Sequence, residues 1–500
     1  MIHRKLFHHF IAISCLLIAV SLFAQNQLSD EKLLEILHSI SSHDLYEYVT
    51  ELSSDYYEGR LTGTEGYDLA AEWVATKFEE WNIKPGGDDS TYFQYFPIPY
   101  TLVFPGCELY LHVPYKNSTL KKYYRYEDEF IPGSTSGSGE VTAEVVYVGY
   151  GVTAPELNYD DYKGIDVRGK IVLMEREVPV SPDKDAELFK KWRPYSFHQY
   201  KLENAVNHGA KGMLYNYGPI GNPNNAYNAN FIYSHVGDSV VADIFAGTGR
   251  AHNNVLKTIN EKLKPQSFNT KKVVTIKNVT EHHPEGIGSN VIGILEGSDP
   301  ELKNEVIIIG GHLDHLGRCY EIMPGANDNA SAVAVILGVA EALTRLPERP
   351  KRSVMLLCFG AEEQAVIGSQ HYLDHPKFPL ENTVCLINMD GVGCGDKLRA
   401  LAAENYPSLW QFFQKANDQY IHRIIKTPYF SNIARPRLDA ARFMWKGIPT
   451  LSFSAYGAKS YYHVTKDDID TITPEILEDL AQLVFLAVED IANQDSVDFR

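Results

Sequence analysis

The chain has 500 residues, 44% of them apolar and 22% charged, with a formal net charge of −18. That length exceeds one comfortable hydrophobic core and predicts two domains. The acidic balance, with no basic cluster standing out against it, argues against a nucleic-acid partner.

Residues 1–24 read as a signal peptide, not as part of the fold. Arg4 and Lys5 give a basic start, Phe10 to Phe23 is an apolar run too short to span a membrane, and Ala24–Gln25 is a cleavage point. The expected location is periplasmic or extracellular, with no transmembrane segment in the mature chain. Apolar residues continue past Cys15, which speaks against lipoprotein attachment there. The other cysteines are Cys107, Cys319, Cys358, Cys385 and Cys394; they form no CxxC pair. Cys358 and Cys385 lie in apolar strands and read as packing residues, whereas Cys319 falls between two candidate ligands.

From Asp30 to Lys84 the pattern is helical, with Ala70, Trp73, Val74, Phe78 and Trp81 on one face. From Thr101 to about Thr280 the texture changes to short β-branched and aromatic strands such as AEVVYVGYG and GKIVLME, broken by Gly-, Asn- and Pro-rich turns. His198, His208, His235 and His252 fall here without ligand spacing and read as surface or structural residues. From Gly286 strands and helices alternate regularly. The predicted strands are Val306–Gly310, Ser353–Phe359, Thr383–Asn388 and Pro449–Phe453. The fold class is therefore α/β, a mixed, mostly parallel sheet flanked by helices, interrupted by a β-rich insertion. The division expected is residues 25–104 and 286–500 for one domain and 105–285 for the insertion.

The chemistry sits at the ends of these strands, where an open α/β sheet builds its sites. GGHLDH offers His312, with Asp314 two residues on as a carboxylate for the other ring nitrogen. His315 reads as a neighbouring polar residue only. Asp328 lies in the turn PGANDNASA, where an N-cap role competes with that of a carboxylate shared by two cations. Glu362 and Glu363 follow a buried strand, so that one can bind a cation while the other reaches water as a base. Asp390 ends the next strand, and His463 sits in a late loop with Asp467 and Asp468 as candidate orienting groups. Nitrogen and carboxylate donors in these numbers suit a pair of divalent metals and predict a metal-dependent hydrolase.

The motifs HLD, GANDNASA, GAEE, NMD and YYHVTKDD, with EGRLTGTEGYDLAAEWVATKFEEW upstream, resemble those of the M28 metallopeptidases. The insertion, through VYVGYGVTAPELNYDDYKGIDVRGKIVLM and NAVNHGAKGMLY, resembles a protease-associated (PA) domain. The resemblance implies two Zn2+ ions, replaceable by Co2+ or Mn2+, and peptide substrates. It implies that Asp328 bridges the ions, that His312 and Asp390 complete one site, and that Glu363 and His463 complete the other. Glu362 becomes the general base. Tyr462 takes the place of an oxyanion-stabilising tyrosine, with Tyr461 as the alternative.

The chain departs from the family at Leu438-Asp439-Ala440, where many members have Ser-Asp-His. Arg435, Arg437 and Arg442 cluster beside it. A guanidinium there would fork onto a substrate carboxylate, as a carboxypeptidase or dipeptidase requires; a solvated loop is the competing reading. An aminopeptidase is the leading expectation. Single-zinc acyl transfer of the glutaminyl-cyclase kind and a non-catalytic binding protein are the alternatives. The sequence leaves oligomeric state open.

Overall fold

A computed structural model describes residues 30–428 and 438–500. The signal-peptide reading, Cys15, Arg435 and Arg437 lie outside the described residues. Among those described, no helix is long and apolar enough to cross a membrane.

The larger sheet has nine strands. Its middle is β1 (Ile287–Leu295), β2 (Val306–His312), β3 (Ser353–Phe359), β4 (Thr383–Met389), β5 (Gly395–Leu401) and β6 (Thr450–Gly457), in the order β1-β3-β2-β4-β6-β5. The four central strands β3, β2, β4 and β6 are parallel; β1 and β5 run antiparallel at their flanks. β2 and β3 are buried at every position, which is why they read as unbroken apolar runs without alternation.

One face is covered by α1 (Ser42–Leu52), α2 (Glu65–Glu80), α3 (Ser331–Thr344) and α4 (Pro474–Asn493), which share a core with the strands. In α3 nearly every side chain is buried, so it lies sandwiched between sheet and helices rather than on the surface. Gly338 permits this: a Cβ there would stand 2.6 Å from Leu45 Cδ2 on α1. α2 buries Ala70, Val74 and Phe78 as its periodicity predicts, with Trp73 and Trp81 at the rim of the core.

A second, eight-stranded sheet is built from residues 108–278 and has its own apolar clusters on either face. Four of its strands are parallel, Gly139–Tyr147, Ile171–Glu175, Gly212–Asn216 and Ile232–Val236. The strands entering and leaving this unit, Tyr100–Val103 and Thr280–His283, pair antiparallel. Cys319, in the loop after β2, pairs with Val103 of the entering strand. The second unit is thereby sewn to the loop that follows His312.

Candidate active site

The six chemically interesting positions His312, Asp328, Glu362, Glu363, Asp390 and His463 converge at the carboxyl end of the parallel strands. His312 is the last residue of β2, Asp390 follows β4 directly, and Glu362 and Glu363 follow β3 by three and four residues. Asp328 lies in the turn entering α3, and His463 in the loop between β6 and α4.

Asp328 is central to the geometry. Its Oδ1 lies 3.2 Å from His312 Nε2 and its Oδ2 lies 3.3 Å from His463 Nε2. On the first side Asp390 Oδ1 is 3.9 Å from His312 Nε2. On the second, Glu363 Oε1 is 3.0 Å from His463 Nε2. One carboxylate therefore presents a separate oxygen to each of two donor groups. All but Asp390 and Glu362 have less than a tenth of their surface exposed.

Both histidine tautomers follow from main-chain oxygens, which can only accept. His312 Nδ1–H donates to the Asp314 carbonyl at 3.0 Å, and His463 Nδ1–H donates to the Gly221 carbonyl at 2.8 Å. Each ring thus turns Nε2 toward the carboxylates, the arrangement by which outer contacts orient a metal-binding imidazole.

Two expectations are corrected here. The Asp314 carboxylate makes no hydrogen bond to the His312 ring, its nearest oxygen standing 3.6 Å from Nδ1, although its charge still acts on the ring. It accepts instead from the amides of Glu362 (3.1 Å) and Glu363 (3.2 Å), so it fixes the loop that carries both glutamates. Asp467 does not orient His463 either. Its two oxygens each accept an amide at 3.0 Å, from Asn327 and Asp328. Strand periodicity correctly gave Asp314 a place beside His312 but could not say which backbone would fold over it.

Other participants were missed or undervalued. His315 is fully buried within the cluster, with Nδ1 3.2 Å from Glu363 Oε1, and it forms a second three-residue donor group with Asp328 and Glu363. Its ring occupies space that exists because residue 325 is glycine; a Cβ there would lie 2.5 Å from the His315 Cγ. Arg60, also fully buried, donates to the carbonyls of Leu313 (3.0 Å), Pro324 (2.8 Å) and Gly325 (2.8 Å) and clamps the loops bearing His312 and Asp328. Gly221, in the insertion, carries no chemical signal in the sequence because only its backbone acts.

The electrostatics fit cations. Burial would lower the pKa of His312 and His463, but Asp314, Asp328 and Asp390 around the first and Glu363 and Asp328 around the second hold both well above 6.5. Burial would likewise raise Asp328 and Glu363, yet the histidines hold Asp328 well below 3.8 and Glu363 down to about 2. Cation binding displaces imidazolium protons of this kind. Glu362 differs: burial, reinforced by Glu363, Asp439 and Asp390 against the pull of His312, raises it well above 4.5. The two adjacent carboxyl groups are thus pushed in opposite directions, Glu362 upward and Glu363 downward.

A cavity of about 220 Å³ opens on this cluster, lined by Glu362, Glu363, Tyr462 and His463. The Tyr462 ring stacks on His463 with centroids 3.6 Å apart and is half exposed. Tyr461 lines a different hollow, where Lys459 lies over its ring. His198 and His235, expected to be surface or structural, are both buried, and His198 is one of the residues lining the cavity.

A family model described as Peptidase family M28 matches residues 290–488, and one for the PA domain matches residues 141–250. The chain is 27% identical over 255 residues to Aminopeptidase YwaD of Bacillus subtilis, covering 48% of this chain and 51% of that protein. It spans about half the length or less of the curated relatives it matches. Among solved structures, an aminopeptidase from Aneurinibacillus sp. strain AM-1 shares the fold with TM-score 0.64 at 22% identity, over 93% of this chain and 97% of that one. BSAP, a zinc aminopeptidase from Bacillus subtilis, aligns with TM-score 0.59 at 18% identity over 92% and 99%. The matched segments contain the donor cluster on one side and the parallel core of the second sheet on the other. Residues 290–488 are thus an M28 peptidase segment, and residues 141–250, ahead of it in the chain, a PA domain.

Proposed function

We propose that the protein is an exported two-zinc exopeptidase that removes residues from the amino end of peptides. The observation that carries this reading is Asp328 facing His312 with one oxygen and His463 with the other. His312, Asp328 and Asp390 fit one ion, and Asp328, Glu363 and His463 the other; His315 stands beside the second group. Nitrogen and oxygen donors at these spacings suit zinc, with cobalt or manganese as chemically acceptable replacements. When bound, such ions polarise a scissile carbonyl and lower the pKa of water.

The protein's own groups supply the remaining steps. Glu362 takes a proton from the attacking water and returns it to the leaving amine. Asp314 keeps Glu362 and Glu363 in register through their amides. Tyr462, which lines the cavity, would donate its hydroxyl to the developing oxyanion. Export rests on the basic start and apolar run of residues 1–24.

Hydrolysis of aminoacyl-p-nitroanilides and amino-blocked peptides by the purified mature chain, with metal content measured on the same sample, tests the reading. Two zinc ions and cleavage of free-amine substrates alone are expected. Cleavage of blocked peptides from the carboxyl end would replace aminopeptidase by carboxypeptidase, and one ion with no hydrolysis would overturn the two-ion mechanism.

A further inference from the structure

Paired histidines recur in this chain, and most are already committed. His315 and His463, with ring centroids 5.7 Å apart, both face Glu363 in the donor cluster. His198 and His235 also stand 5.7 Å apart but are buried in the inserted domain. His282 is held by Thr101 Oγ1 at 2.8 Å and stacks on Tyr227, while His283 stacks on Tyr100 and lies 3.2 Å from Glu281 Oε1. His371 and His375 differ from all of these.

They stand one turn apart on the helix Ile367–Asp374, His371 in its last turn and His375 capping its end. The i, i+4 spacing puts both side chains on one face. His371 is half-buried against Phe96, with ring centroids 5.4 Å apart, and His375 is exposed. Their own ring centroids are 4.7 Å apart, with planes inclined at 46°. Among the described residues neither ring makes a hydrogen bond or an ion pair, and both nitrogens of His371 reach solvent.

This separation suits two imidazoles on one cation. A ring nitrogen binds a divalent transition metal at about 2.0–2.1 Å, and the ring centre lies about 1.1 Å behind it. Two rings sharing an ion therefore have centroids about 4.5 Å apart at a right angle and about 5.2 Å apart at the tetrahedral angle. The observed 4.7 Å falls between, nearer the right angle.

The surroundings suit a cation as well. The last carbonyls of a helix point outward and attract positive charge. The carboxylates of Asp88 and Asp374 act on His371 against the single ammonium of Lys377. Burial, helped by the charge of His375, holds the His371 pKa below 6.5, which leaves its lone pair free at neutral pH. Asp374 accepts from Gln370 at 2.8 Å, and Asp88 accepts from Lys377 and from the Tyr95 amide. Both carboxylates are engaged, so water fills the remaining positions on the ion.

We propose that His371 and His375 chelate one divalent transition-metal ion at the surface, Cu2+ ahead of Ni2+ and Zn2+. Nitrogen donors near a right angle suit tetragonal ions, and copper heads the affinity order. The site is separate from the donor cluster and lies at the far end of the helix that begins four residues after Glu363.

The test is Cu2+ titration of the untagged, zinc-loaded full mature chain, followed by electron paramagnetic resonance with zinc release measured alongside. One equivalent of Cu2+ should bind without releasing zinc and give a tetragonal spectrum with two nitrogen ligands. His375→Ala and His371→Gln should each weaken that binding at least about tenfold, with zinc content and hydrolytic activity at wild-type values. Asp328→Ala, which disrupts the donor cluster, should still take up this ion and lose it when His375→Ala is added. Copper bound only as zinc leaves, bound equally by the wild type and His375→Ala, or absent from a folded Asp328→Ala protein would overturn the proposal. His375 is exposed, so its replacement keeps the comparison decisive even where His371→Gln fails to fold.

Discussion

Gly221 and His463 hold each other across 242 residues of sequence: the histidine Nδ1–H donates to the glycine carbonyl at 2.8 Å, and the glycine amide donates back to the histidine carbonyl at 3.0 Å. One partner belongs to the inserted domain and the other to the donor cluster. Nearby, Thr465 donates its amide and hydroxyl to the Glu127 carboxylate, and Tyr126 donates to the Cys319 carbonyl at 2.8 Å. The insertion is therefore fastened to the loop that carries His463 and to the loop after His312. It takes part in orienting His463, and among the described residues neither three-residue donor group includes one of its side chains.

Replacing Gly221 by proline removes the amide donor and disturbs the adjoining carbonyl. Loss of such an orienting contact typically weakens metal affinity 10–100-fold. We expect that loss for the ion held by His463, with the ion held by His312 little changed. Zinc titration calorimetry on the variant checks this; two ions bound as tightly as in the wild type would mean that the Gly221 contact is incidental.

The shared carboxylate makes a prediction about stoichiometry. His312→Ala and His463→Ala should each retain one ion, whereas Asp328→Ala should retain none at micromolar zinc. Metal analysis after gel filtration distinguishes these cases, and an Asp328→Ala protein carrying two ions would end the bridging assignment.

Glu362→Gln preserves size and removes the proposed base. Metal content should stay at the wild-type value while kcat falls about 10²–10⁴-fold, the usual contribution of a positioned base. Turnover near the wild-type rate would assign the proton transfer elsewhere.

His235 gives the fold an acid-sensitive point. It is fully buried, donates Nδ1–H to the Ile220 carbonyl at 2.8 Å, and burial lowers its pKa from 6.5 to about 4. A folded-state pKa below the unfolded value means stability that is complete above pH 6.5 and is lost as pH falls toward 4. One such histidine accounts for on the order of 3 kcal/mol across that window. Urea unfolding at pH 7 and pH 4.5 should show a smaller acid penalty in His235→Phe than in the wild type. An identical pH dependence in the two proteins would show that His235 is not the group being protonated.

The parallel core was legible because strands buried on both faces read as continuous apolar runs, and Gly286 onward shows four of them in regular alternation with helices. The same runs made the cluster legible, since an acid or histidine just past a buried strand of an open α/β sheet has one end of that sheet to face. That placement brought His312, Glu362, Glu363 and Asp390 to one end of the sheet; which glutamate would face a cation came only from the family resemblance. His315 was undervalued because sequence adjacency to Asp314 cannot show a ring turning into the space left by Gly325.

What the sequence by itself determined is the chemistry: which side chains can donate to a cation or accept a proton, and that a parallel sheet would collect them. Only the tertiary structure decided which groups hold those side chains in place. Asp314 turned from the His312 ring to the amides of Glu362 and Glu363, Asp467 went to the amides of Asn327 and Asp328, and the support for His463 came from the backbone of Gly221. The reason is physical. Periodicity governs the contacts of a side chain with its own element, but a main-chain carbonyl has no residue-type signature. Its arrival from a distant part of the chain is fixed only when the two domains pack.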